Sequence, residues 1–271
     1  MKGYQNLHTH TTYVDGYVTA EEMILVALEK GGTSIGFSEH SHVSFDHDYS
    51  LKLDDIPKYV DEVNALKQKY EGQIEIFLGI EEDYYTDVMP SGLDYIIGSA
   101  HHIKYGDDFI TVDAHEECLI EATNKYFGGD FYSLAELYFE TIADIMNKTQ
   151  ADIIGHFDLL TKYNFNNKVF DETHPRYVEA AIESMKEILK KNKLFEINTG
   201  AMFRVEKPAQ YPAGFLLKEL LARGGEVILS SDTHNPKSLF FNFGDMIELI
   251  KSYGFKHIKR LTKDGFIDVK I

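Results

Sequence analysis

The sequence predicts a parallel β/α barrel that carries its chemistry at the carboxyl ends of the strands. Short apolar runs alternate with longer helical patterns along the whole chain. The length, 271 residues, suits one closed barrel of ~250 residues. Six of the seven apolar runs end in His, Asp or Glu, and in such barrels that rim is where active sites assemble. An open doubly wound sheet is the alternative, disfavoured because its usual glycine-rich phosphate or dinucleotide loop is missing.

The expected strands are residues 4–8, 34–39, 74–81, 95–101, 152–156, 194–198 and 226–231. Thr19-Ala20-Glu21-Glu22 reads as a capping box that opens the first helix. Residues 54–70 carry Ile56, Tyr59, Val60, Val63 and Leu66 at a helical period. Residues 115–127 read as a helix bearing Cys118, which is expected to be a core thiol. Residues 175–191 and 212–223 are helical, the second stopped by Gly224-Gly225. The tail, residues 256–271, reads as a hairpin turning at Lys263-Asp264-Gly265. No linker, low-complexity tract or composition shift divides the chain, so residues 1–271 read as one barrel domain.

Composition narrows the function. Acidic residues outnumber basic ones 44 to 27, a formal charge of -17, which repels polyanions and argues against a nucleic-acid partner. No run approaches ~18 apolar residues, and residues 1–10 do not read as a signal peptide, so no membrane role is expected. The lone Cys118 has no partner for an internal disulfide; a reducing, cytoplasmic setting fits. Nothing in the sequence indicates the oligomeric state.

The chemistry lies in polar residues at strand ends. The first strand ends in His8-Thr9-His10, two imidazoles on one side of an extended chain, with Asp15 five residues on. The second ends in Glu39-His40-Ser41-His42, the third in Glu81-Glu82-Asp83, the fourth in His101-His102, the fifth in His156-Phe157-Asp158 and the seventh in Asp232-Thr233-His234. Nine of these read as metal ligands: His8, His10, Asp15, His40, Glu81, His101, His156, Asp232 and His234. That is too many for one ion and crowded for two. Three divalent ions with a bridging carboxylate fit best. Offset by three carboxylates and one bridging hydroxide, they leave about two positive charges, which suits a phosphate monoester dianion. Imidazole and carboxylate without thiolate favour zinc, iron or manganese.

The combined pattern (HxH, H, GxE, H, GHxD and DxH after successive strands) resembles the PHP (polymerase and histidinol phosphatase) superfamily from His8 to His234. The resemblance implies a distorted (β/α)7 barrel with a trinuclear site. One ion would take His8, His10, Glu81 and Asp232; a second would share Glu81 with His101 and His156; the third would take Asp15, His40 and His234. Some relatives carry His where this chain has Asp15. In length the chain is most similar to the bacterial histidinol-phosphate phosphatases, which makes L-histidinol phosphate the expected substrate, hydrolysed to L-histidinol in histidine biosynthesis.

The expected reaction is phosphomonoester hydrolysis, with a metal-bridging hydroxide attacking phosphorus in line and Asp232 positioning or deprotonating it. His42 and His234 are candidates for protonating the leaving group, and His42 for touching substrate. Arg204, after the sixth strand, is the arginine on the expected rim and suits a phosphate clamp; Lys162 is a second candidate. His102 is expected to face away from His101, and Asp158 to orient a neighbour. The GxE spacing favours Glu81 over Glu82 and Asp83 as the ligand. His47, His115, His174 and His257 read as surface residues. Glu39, Glu82, Asp83 and Glu116 are offered as partners for a substrate ammonium. The rivals are an amidohydrolase, which commonly bridges its metals with a carboxylated lysine that this chain lacks at its strand ends, and a non-catalytic metal-binding scaffold. Within the same superfamily, phosphotyrosine and nucleotide esters are the alternative substrates.

Overall fold

A computed structural model describes residues 3–191 and 194–271 of the chain. The chain runs β1 (Tyr4–Asn6), α1 (Ala20–Glu29), β2 (Gly32–Phe37), α2 (Ile56–Lys69) and β3 (Glu75–Asp83), then passes through a loop without a helix into β4 (Tyr95–Ser99). A small antiparallel pair follows, β5 (His102–Tyr105) and β6 (Asp108–Thr111), and then α3 (Glu116–Phe127), α4 (Phe131–Ala143) and α5 (Ile145–Lys148). The remainder is β7 (Ile153–Ile154), α6 (Pro175–Leu189), β8 (Leu194–Asn198), α7 (Gly200–Arg204), α8 (Gly214–Ala222), β9 (Glu226–Ser230), α9 (Phe243–Tyr253) and the hairpin β10 (His257–Thr262) and β11 (Gly265–Lys270).

All seven expected strands form, in one parallel sheet ordered β1-β2-β3-β4-β7-β8-β9. Its outer strands meet at their carboxyl ends. The His10 amide donates to the Thr233 carbonyl at 2.8 Å and the Thr233 amide to the His8 carbonyl at 2.9 Å, a parallel bridge between Thr9 and Thr233. The sheet thus closes into a distorted (β/α)7 barrel, and its seam runs through the HxH and DxH segments. At the other end the tail hairpin completes the wall. β10 packs on β9, Gln5 Nε2 donates to the Leu261 carbonyl at 2.9 Å, and the Leu261 amide donates to Gln5 Oε1 at 2.8 Å.

Strand alternation separates two apolar layers. Leu7, Phe77, Tyr95, Ile97, Ile153, Leu194 and Ile228 fill the barrel with Leu261, and Phe266 packs against them. Their neighbours Ile76, Leu78, Ile80, Phe195, Ile197, Val227 and Leu229 join the layer under the helices. Each such side chain contributes ~1.5–3 kcal/mol on burial. The Tyr95 ring needs glycine beside it: a Cβ on Gly79 would stand 2.2 Å from a ring carbon. Its hydroxyl donates to the carbonyls of Leu7 and Phe37.

The local signals act as expected. Thr19 and Glu22 form a reciprocal capping box, and Gly254 ends α9 in the left-handed region at φ 115°. The structure adds α4, α9 and the β5–β6 hairpin to the elements read from periodicity. α4 and α6 pack together, tied by Arg176, which donates to Glu136 and Asp130 at 2.7 Å. One expectation is corrected: Cys118 is exposed. Its helix exists, but Leu119, Ala122 and Thr123 form the buried face. No helix among the described residues is long and apolar enough to cross a membrane.

Candidate metal centre and substrate cavity

The strand ends gather around Glu81. On β3, Phe77, Gly79 and Glu81 fall on one side, so the register that packs the barrel interior carries the Glu81 carboxylate inward at the rim. Oε1 lies 2.9 Å from His156 Nε2 and 3.4 Å from His101 Nε2. Oε2 lies 2.8 Å from His40 Nδ1, 3.2 Å from His8 Nε2 and 3.6 Å from His10 Nε2. Asp232 Oδ1 stands 3.5 Å from His10 Nε2 and 3.6 Å from His8 Nε2. Asp15 Oδ2 stands 2.9 Å from His234 Nε2 and 3.8 Å from His40 Nε2.

All nine sequence-predicted ligands therefore converge. Their donor atoms form four overlapping groups, each within 4.8 Å: His10, Asp15, His40 and His234; His8, Glu81 and His156; His8, His10 and Asp232; and His40, Glu81 and His101. His10 thus touches the Asp15 group as well as the Asp232 group.

The donor chemistry fits cations. His8 Nε2, both ring nitrogens of His10, Asp15 Oδ1 and Glu81 Oε2 are buried without a hydrogen-bond partner, an arrangement costly for polar atoms that have nothing to bind. Burial alone would push the Glu81 carboxyl up, but His8, His101, His40 and the His156 contact hold it well below its usual range. Burial opposes ionisation of Asp232 as well, yet Arg204, His8 and His10 keep it low. Burial favours the neutral His101 ring, but Glu81 and Asp83 raise its pKa to about 9. Ionised carboxylates buried this close together call for positive charge.

Supporting groups fix the rings. Glu196 Oε1 lies 2.8 Å from His8 Nδ1, so a protonated Nδ1 leaves Nε2 free to face Glu81. Glu196 Oε2 accepts from the His156 amide at 3.1 Å. Asp83 Oδ2 lies 3.3 Å from His101 Nδ1. Asp232 adopts φ 42°, a left-handed conformation unusual for a residue other than glycine. Gly200 makes room for it: a Cβ there would stand 2.7 Å from that of Asp232.

Above this cluster opens a cavity of about 440 Å³. Arg204 lines it as expected, donating from Nη2 to Asp232 Oδ2 at 2.7 Å and lying 2.8 Å from His234 Nδ1. Lys162 lines it too, held by the carboxylate and carbonyl of Asp113 at 2.9 Å each.

Other expectations are corrected. His42 does not line the cavity; its Nδ1 meets the Leu51 carbonyl at 3.0 Å. β2 has already ended at Phe37, and His40 and His42 bridge different segments, His40 to Glu81 and His42 to Val88, so the same-side spacing of one strand does not apply. His102 does line it, because the chain turns there into β5. Asp158 touches no ligand ring; it is buried, accepts from the Ala213 amide at 3.0 Å, and burial pushes its pKa to about 6. Of the four proposed ammonium partners only Asp83 reaches the cavity. Glu39 is buried against Thr11, Glu82 accepts from the Gln150 amide, and Glu116 pairs with Lys168 at the surface. Glu196, Asp46 and Asp113 were not legible as site residues. For Glu196 a signal existed: a carboxylate alternating with apolar residues in strand 194–198, the one strand without an acid or histidine at its end.

Among known proteins, the chain is 30% identical over 253 residues to a "probable histidinol-phosphatase" of Schizosaccharomyces pombe, covering 86% of this chain and 79% of that one. It is 27% identical over 280 residues to one of Deinococcus radiodurans, covering 96% and 99%. Its fold matches the crystal structure of histidinol phosphate phosphatase from Lactococcus lactis, complexed with zinc, L-histidinol and phosphate. The TM-score is 0.75 at 24% identity, over 97% of this chain and 98% of that one. The PHP domain description matches residues 6–200, nearly three quarters of the sequence and every expected ligand position except Asp232 and His234, which follow the closing strand, and on that match the chain belongs to the PHP domain family.

Proposed function

We propose that the chain is a metal-dependent phosphomonoesterase that hydrolyses L-histidinol phosphate to L-histidinol and phosphate. The observation that carries this reading is the convergence of six imidazoles and three carboxylates beneath a cavity whose rim holds Arg204 and Lys162. The relatives named histidinol-phosphatase, aligned over most of their length, support the substrate.

Three divalent ions, grouped as the family resemblance implies, are the occupancy we assign to these donors. His8, His10, Glu81 and Asp232 would hold one; Glu81, His101 and His156 a second; Asp15, His40 and His234 the third. Bound there, such ions polarise phosphoryl oxygens and make water a nucleophile at neutral pH. The protein's part is positioning. Glu196 sets the His8 tautomer, and Asp83 steadies His101. Asp232 gives Oδ2 to Arg204 and keeps Oδ1 toward His8 and His10. The Arg204 fork lies at the rim, where a guanidinium suits the charge and geometry of a phosphoryl group.

The test is turnover of a phosphate-ester panel. kcat/KM for L-histidinol phosphate should exceed that for simple sugar phosphates, phosphotyrosine peptides and single-stranded DNA by at least roughly tenfold. A better rate on any of these would remove the substrate assignment. Arg204→Ala should lower kcat/KM by roughly 10²-fold, since a charge-assisted contact contributes ~1.5–3 kcal/mol, with metal content retained. Unchanged kinetics would reduce Arg204 to a structural partner of Asp232.

A further inference from the structure

The geometry points to Asp46 as the residue that selects a cationic leaving group, an inference that rests on the phosphatase reading above. Asp46 lines the cavity beyond the ligand cluster, on the loop after His42. Oδ1 accepts from the Tyr49 amide at 3.2 Å, and Oδ2 lies 3.2 Å from His102 Nε2. The other carboxylates on this cavity have nearer engagements: Asp232 with Arg204, Asp113 with Lys162, Asp15 with His234, and Asp83 with the His101 amide at 3.0 Å. Among the described residues no lysine or arginine comes within 4.0 Å of Asp46. Its side chain keeps 18% exposure, open to a ligand but not freely solvated.

His102 is the side chain that meets this carboxylate. The ring is buried and its Nδ1 has no hydrogen-bond partner. It can donate from Nε2 and steady the carboxylate. The loop itself is pinned: Phe45 stacks on Phe109 of β6 at 3.7 Å and meets the His102 ring edge-on at 5.0 Å. Tyr49 and Tyr17 also line the cavity, with 62% and 72% of their surface exposed. Such rings offer faces to a cation or a flat heterocycle. A positioned carboxylate with no lysine or arginine beside it, next to aromatic faces, suits a primary ammonium. L-Histidinol phosphate carries one on the carbon next to its ester methylene. Asp46 would grip that group while the phosphoryl end sits on the metal side.

Steady-state kinetics of D46N on L-histidinol phosphate, phosphoethanolamine and p-nitrophenyl phosphate test this, with metal content measured alongside. For both ammonium-bearing esters, kcat/KM should fall at least tenfold relative to p-nitrophenyl phosphate, chiefly through KM. Inhibition by free L-histidinol should weaken similarly, while inhibition by inorganic phosphate holds. An equal fall on all three esters, or an unchanged ratio, would overturn the assignment. Should D46N not fold, D46E provides the second variant, with the same ratios read. Failure of the substrate reading shows separately, as wild-type enzyme that prefers other esters. The phosphoethanolamine ratio still reports on Asp46 in that case.

Discussion

Glu81→Ala should lower kcat/KM by at least roughly 10³-fold and reduce metal content, a larger effect than that of His234→Ala. The two Glu81 oxygens stand within 3.6 Å of five imidazoles, whereas His234 serves the Asp15 side of the cluster. Removing Glu81 leaves those rings without the anion that two metal sites would share. Metal charge stabilisation contributes several kcal/mol to such reactions, and each ~1.4 kcal/mol is tenfold in rate. Elemental analysis and kinetics of both variants decide it. A His234→Ala variant as damaged as Glu81→Ala, in both metal content and rate, would mean that Glu81 is not the shared ligand.

Protein purified without chelator should carry close to three transition-metal ions per chain, and stripping them should abolish turnover and lower the melting temperature. An ion held a thousandfold above its Kd contributes ~4 kcal/mol to stability. For a chain of this size, losing one such contribution costs on the order of 10 °C. The stripped protein must also keep Glu81 and Asp232 buried, and Asp15 half-buried, among imidazoles, of which His8, His40 and His101 are shifted toward holding protons in place of metal. Thermal unfolding with and without chelator, paired with elemental analysis, provides the check. Full activity with one ion per chain would exclude the trinuclear reading.

Strand-end chemistry was readable because it follows a local rule. An imidazole or carboxylate closing an apolar run is conspicuous, and parallel strands deliver all such ends to one rim. What lay beyond that rule depended on the path of the chain after each strand. His40 and His42 both lie beyond the end of β2 at Phe37 and bridge different segments, so strand spacing does not relate them; His102 enters the cavity because a hairpin begins there. Asp46 and Asp113 sit on loops, where no periodicity says which side chain points inward. Glu196 was obscured by its apolar neighbours and by lying below the rim. Cys118 shows the limit of residue type as a guide: one step around a helix separates core from solvent.

The barrel is completed by some of the longest-range contacts in the chain. Thr9 must find Thr233, and Gln5 must find Leu261, 256 residues away. During synthesis, a nascent chain exposes the edge of β1 long before either partner emerges. Pairings this distant make folding slow and leave strand edges available for association with other chains. Because His8, His10, Asp232 and His234 flank the closing bridge, the proposed ligand set is incomplete until that bridge forms. Metal captured at that point would act as a latch on the finished barrel, and cellular metal supply would then influence how much newly made chain reaches the native state.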